Sequence, residues 1–210
     1  MPAFKKVEER LRIGILAEDE TDCNTIEVLI RRMASEISTA PIGIDKHSTT
    51  GCGGLRKKAP AKMRQMLSEG CKAAVLVHDL DLNPNNQQLN DEEALRSLLS
   101  NLSVPTGLER LICIPVEELE AWFWADPEII QKVGQGKGKA SPSPHLIQKP
   151  KERLQKLSAA ANKKPRYNTN NNPNLATTLD LTICTERCRA FKALRDFVHR
   201  IVTPSSSPAV

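Results

Sequence analysis

Two pairs of carboxylates sit just past apolar runs: Glu18 and Asp22 after residues 13–17, Asp79 and Asp81 after residues 73–78. If both runs are parallel strands, their carboxyl ends share one edge of a sheet, the edge where open α/β proteins bind ligands. All four carboxylates then converge. Two carboxylates about 4 Å apart repel by about 4 kcal/mol at an effective dielectric near 20. Such a cluster must raise a pKa, spread apart or hold a cation. Magnesium or manganese suits it, because a hard cation takes oxygen ligands and keeps waters for a phosphate. Zinc and iron want histidine or thiolate partners, which these motifs lack apart from His78 beside Asp79. The chemistry such a site permits is metal-assisted work on a phosphate substrate. Glu18, Asp79 and Asp81 would be direct ligands, with Asp22 and Glu120 supporting them or binding a second ion. The plain alternative for each acid is a helix cap or a βα-turn residue.

Glu120 joins the set by its place on an element. In a helix following a strand at 111–114, Val116, Leu119, Trp122 and Phe123 form one apolar stripe at about 100° per residue. Glu120 falls beside that stripe, about 40° from Val116, while Glu117 points farther toward solvent. A carboxylate at such a boundary is partly desolvated. It needs a partner, either a metal or a group that merely anchors the helix.

These positions depend on an alternation of short apolar strands and amphipathic stretches, the pattern of a mainly parallel α/β sheet flanked by helices. Strands are predicted at 13–17, 42–47, 73–78 and 111–114. Helices are predicted at 21–38, at 55–68 after a Gly-rich turn (Gly51 to Gly54), after the cap Asp91, and through Ala125. The character then changes. Residues 134–144 (GQGKGKASPSP) read as a flexible, lysine-bearing loop, and 168–174 (NTNNNPN) as a second loop. Helical segments are predicted at 150–157, 175–181 and 186–202. The expected organisation is one domain: a core over 1–133, a helical C-terminal extension over 134–203, and a disordered tail over 204–210.

Composition bounds the function class. The chain is 40% hydrophobic and 26% charged, which fits a globular protein and not a disordered one. No apolar run approaches the roughly 20 residues that span a bilayer, and the opening MPAFKKVEERLR is too charged for a secretory signal. A cytoplasmic protein without a membrane partner is expected. Six cysteines without a C-x-x-C pair read as free thiols. The net charge of +5 leaves basic groups to meet phosphates once acids are committed to a metal. An aromatic content of 3% argues against a base-stacking platform.

Residues 17–22 (AEDETD) resemble the V-E-G-x-[ST]-[DE] start of TOPRIM domains of the OLD-nuclease type, and residues 74–82 (AVLVHDLDL) resemble their D-x-D strand. Residues 116–126 (VEELEAWFWAD) are similar to the E-x-E-A-W-x-x-A-D signature of a bacterial TOPRIM-like family often encoded beside an ATPase in anti-phage loci. That family's later pattern is similar to Lys149-Pro150, Tyr167 and Cys188 to Phe191, so the resemblance runs from Ile13 to about Val202. It implies a TOPRIM-like fold, a magnesium-dependent nuclease, a nucleic-acid substrate (DNA favoured over RNA), an ATPase partner and a role in defence; self-association is open. The glycine that usually follows the first glutamate is Asp19 here, which leaves open whether Glu18 or Glu20 aims at the metal.

Weaker signals have plain alternatives. Gly51 to Gly54 ahead of Arg56, Lys57 and Lys58 is either an anion site or a simple turn, with no Walker-type G-K-[ST] present. Lys137, Lys139, Lys163, Lys164 and Arg166 either track a nucleic-acid backbone or are solvated. His47 and His78 are general-base candidates or packed strand-end residues. Cys188 is a redox thiol or a buried small residue, and Tyr167 is the sole candidate for a covalent route. Two rival functions remain: a non-enzymatic, partner-regulated subunit that keeps the acidic pocket, and a phospho-receiver with Asp79 as acceptor. The receiver lacks its usual lysine, since Ile114-Pro115 offers none.

Overall fold

The computed structural model describes residues 10–83, 85–86, 88–160 and 164–203. The tail at 204–210, Lys163 and the first nine residues, to which some expectations above refer, lie outside them.

Four strands form one sheet: β1 (Arg12–Ala17), β2 (Gly43–Ser48), β3 (Ala73–Val77) and β4 (Glu109–Cys113), all parallel and in the order β2-β1-β3-β4. The α/β class and the helical C-terminal end are as the sequence predicts. β1 and β3 are buried on both faces, which is why they read as near-continuous apolar runs. Ile13, Ile15, Ala17, Ala73, Val75 and Val77 face one hydrophobic cluster, and Leu16, Ala74 and Leu76 face the other. The first cluster is closed by α1 (Glu20–Ser35) and the C-terminal helices. The second is closed by α2 (Gly51–Ser68) and α3 (Glu92–Ser100). Gly14 lets α2 approach β1, since a Cβ there would fall 2.4 Å from Met66 Sδ.

The chain leaves β1 toward β2 on one side and returns to β3 on the other. This makes the crevice beyond the carboxyl ends of β1 and β3 the topological switch point. Pairing continues past β3, with His78 N–H donating to Cys113 O (3.1 Å) and Leu80 N–H to Pro115 O (2.9 Å). The alternation of faces therefore extends through Asp79.

Several predicted elements differ. α2 begins at Gly51, so the glycines form its first turn and not a turn before it. Their weak helix propensity hides this in the sequence. Leu119–Ala125 is a 3₁₀ helix, not an α-helix. The Asn-rich loop is a 3₁₀ turn, Thr169–Asn171, running into α6 (Asn172–Ala176), where Pro173 suits a first helical turn. The helix predicted at 175–181 falls on the end of α6 and a non-helical stretch at 177–180, and the one predicted at 186–202 is broken at Cys188 into α7 (Leu181–Arg187) and α8 (Arg189–Val202). The remaining helices are α4 (Pro127–Gly134), which is not among those predicted, and α5 (Pro150–Ser158). α6 and α8 pack on α1, and Phe191, Leu194 and Val198 of α8 are fully buried. All six cysteines are free. Among the described residues no helix is long and apolar enough to cross a membrane.

Candidate metal centre at the switch point

Glu18 leaves β1 one residue after its last strand position, and Asp79 leaves β3 two residues after its last. Because β1 and β3 are hydrogen-bonded neighbours, both acids stand at the same crevice, on opposite faces. Glu18 shares the α2 face with His78. Asp79 shares the other face with the α1 and C-terminal side.

Asp19 takes up the work of starting α1. Its backbone is extended (φ −141°, ψ 175°), so the position needs no glycine, and its side chain accepts from Asp22 N–H at 2.9 Å. This cap turns Asp22 into the crevice on the first turn. Glu20 is exposed, whereas Glu18 is half-buried with Oε1 lacking any hydrogen bond, so Glu18 is the residue that joins the site.

The five predicted acids meet electrostatically. Burial pushes the Asp79 carboxyl well above its ordinary range, and Asp22, Glu120, Glu18 and Asp81 push it further. Glu18 is raised to about 7 by burial and then by Asp81, with Arg56 partly relieving it. Asp22 is raised to about 8 by burial, then by Asp19, Glu120 and Glu18, with Lys151 opposing. Glu120 is raised by burial and eased by a hydrogen bond from Asn172. Asp81 is exposed and acts through its charge on Glu18 and Asp79.

Glu120 is deeply buried, more so than its predicted boundary position implied. A 3₁₀ helix has three residues per turn, and every residue from 119 to 125 except Trp124 is buried. Oε1 of Glu120 accepts from Asn172 Nδ2 at 3.0 Å, with the Tyr167 hydroxyl 3.3 Å away. Glu117, expected toward solvent, is also buried. Its backbone is left-handed (φ 57°), and its carboxylate accepts the N–H of Lys149, another left-handed residue (φ 52°). Glu118 holds both the N–H and the ammonium of Lys151. Together these bonds seat the start of α5 at the crevice and bring the Lys151 charge to Asp22 and Glu120.

His78 does not present itself to a substrate. It is 4% exposed, and Nδ1 lies 2.8 Å from Asp79 O, which can only accept. Nδ1 therefore carries a proton, 3.5 Å from Glu18 Oε1, and burial lowers the pKa of the ring. His47 stays apart from the site acids, with Nε2 at 3.6 Å from Glu69. Cys188 is a buried thiol pushed up to about 12, and Tyr167 is buried and bonded to Asn172. Lys137, Lys139, Lys164 and Arg166 are exposed.

The donor set is all oxygen, and Glu18 Oε1 and Asp79 Oδ1 are shut off from solvent with no hydrogen-bond partner. Leaving such atoms unpaired is costly. Among the described residues no group of three or more His, Cys, Asp or Glu side chains stands placed to hold a metal ion. An ion that uses one or two carboxylates and keeps its waters needs no such group, so the unpartnered oxygens of Glu18 and Asp79 fit magnesium or manganese. Lys151, Glu118 and Asn172 escape the sequence reading because their partners lie more than 30 residues away along the chain.

Residues 17–199 match the model of a family described as a domain of unknown function, DUF4276. No curated protein and no solved structure matches the chain.

Proposed function

We infer that this chain, which belongs to the DUF4276 family, is a magnesium- or manganese-dependent nuclease or related phosphodiesterase acting on nucleic acid. The observation that carries this reading is the gathering of five carboxylates at one switch point, with an oxygen each of Glu18 and Asp79 buried and unpartnered. Glu18, Asp79 and Asp81 would hold the ion, with Asp22 and Glu120 supporting them or binding a second ion. A bound ion supplies a polarised phosphoryl oxygen and an acidified water at neutral pH.

The chain's own groups have separate tasks. His78 donates to the Asp79 carbonyl, which fixes the chain where it leaves β3. Arg56 and Lys151 place positive charge on the two flanks of the acids, where a phosphate with its several anionic oxygens would otherwise be repelled. The likeness of residues 17–22, 74–82 and 116–126 to TOPRIM nucleases supports the same reading. It also supports an ATPase partner and an anti-phage role.

The test is cleavage of plasmid DNA and of RNA by the purified chain with magnesium, manganese or EDTA. Metal-dependent cleavage is expected, stronger on DNA and absent from an Asp79→Ala, Asp81→Ala double variant. Cleavage that persists in EDTA or in the double variant overturns the assignment.

A further inference from the structure

We propose that Asn172, itself fixed by Tyr167, is a positioning residue for Glu120, so that the C-terminal helices complete the cation site and do not merely flank it. The inference rests on the metal-centre reading above and adds residues to it.

The geometry is a directed relay. The Tyr167 hydroxyl donates to Asn172 Oδ1 at 2.6 Å, and Asn172 Nδ2 donates to Glu120 Oε1 at 3.0 Å. The hydroxyl oxygen also lies 3.3 Å from Glu120 Oε1, but a hydroxyl has one proton and the shorter contact takes it. That proton settles the amide. Turned over, Asn172 would set its carbonyl against the Glu120 carboxylate and waste the tyrosine donor. The Asn172 bond therefore fixes Oε1 of Glu120, and the tyrosine acts on the carboxylate through the amide.

Water does not substitute for this relay. Asn172 is 0% exposed, and Tyr167 and Glu120 are each 4% exposed. The relay is anchored on independent elements. Tyr167 N–H donates to Ser158 Oγ at the end of α5 (3.0 Å), and α6, which opens with Asn172, packs on α1, the helix that carries Asp22. Arg32 of α1 secures α6 from the other end by donating to Ala176 O and Leu179 O, both at 2.7 Å.

Hydrogen bonds from outside the ligand set fix the orientation of ligating carboxylates, and removing them costs roughly 10–100-fold in metal affinity or activity. The experiment is calorimetric titration of the full chain with manganese, beside melting curves in EDTA. The variants are Asn172→Ala, Tyr167→Phe and Leu175→Ala. Asn172→Ala should weaken manganese binding by about 10–100-fold. Tyr167→Phe, which keeps the ring and its packing, should weaken it several-fold in the same direction. It carries the test if Asn172→Ala does not fold. Leu175→Ala removes a buried side chain of the same helix without touching the relay. It should lower the melting temperature in EDTA while manganese affinity stays within about twofold of wild type, an outcome that a merely structural role for Asn172 would not set apart.

Wild-type affinity in both Asn172→Ala and Tyr167→Phe, in a chain that does bind manganese, overturns the positioning role and leaves the metal centre standing. A wild-type chain that binds no manganese overturns both.

Discussion

Asp79 is the residue on which the site turns, because four other acids raise it while its own Oδ1 has no hydrogen bond. Its place, and that of Glu18, is legible from local sequence: an acid just past a buried apolar run is carried to the strand's carboxyl end wherever that strand lies in a parallel sheet. Asn172 and Tyr167 are not legible in this way. They sit 52 and 47 residues from Glu120, and an asparagine run by itself signals a turn. Glu120 yields a prediction at this scale. Burial raises its pKa, so the folded chain holds a proton there that the unfolded chain loses near its ordinary value. The associated stability is present at low pH and is lost as pH rises through the folded value. Gln mimics the protonated form. In EDTA, Glu120→Gln should therefore melt with wild type in acid and above it once the pH exceeds the folded value. It should also bind manganese more weakly. A melting temperature below wild type in both pH ranges, with manganese affinity unchanged, would make Glu120 a structural anchor.

At the scale of elements, the strand positions and helices α1, α2, α3 and α5 were readable, whereas α4, the bounds of α6 and α7, and helix types and starts near the site were not. Periodicity reports which residues face the core. It does not separate an α-turn from a 3₁₀ turn when nearly every residue of a short segment is buried, as at Leu119–Ala125. The left-handed pair Glu117 and Lys149 is equally hidden, since neither is a residue type that signals such a backbone. Each such residue costs on the order of 1–2 kcal/mol, and the bond between them holds α5 against the acidic loop. Glu117→Ala removes the acceptor and leaves the Lys149 N–H without it. It should cost about 2 kcal/mol, which lowers the melting temperature by roughly 4–8 °C for a chain of this size. Glu117→Gln, which keeps a neutral acceptor, should cost less than half of that. If both variants melt with wild type, the contact does not secure α5.

On the scale of the whole molecule, the C-terminal extension belongs to the core. Phe191, Leu194 and Val198 of α8 share one cluster with Ile13, Ile15 and the helix α1, and Trp122 packs edge-on against Phe191 at 5.1 Å. The change of composition after residue 133 marks where the extension of that one domain begins but not what it packs on, because composition carries no record of long-range packing. The folded chain thus compresses acids that the unfolded chain keeps apart, and the consequence is a pH dependence of global stability. Glu18 is raised to about 7 and Asp22 to about 8, both by burial first and neighbouring acids next. Raised carboxyls hold protons in the folded state between their ordinary values, near 4, and the folded ones. Stability from them is complete below that window and falls as pH climbs through 7 and 8. In EDTA the melting temperature should therefore decline from about pH 5 to about pH 8, by about 3–5 °C per pH unit for each excess proton. Asp22→Asn should make the decline shallower by deleting one of these protons. Millimolar manganese should flatten or reverse it, because the ion binds the deprotonated carboxylates of the folded chain alone. The comparison of wild type with Asp22→Asn removes the contribution of other titrating groups. Parallel curves for the two proteins would place Asp22 outside the cluster, and manganese curves that track those in EDTA would deny the cluster its cation.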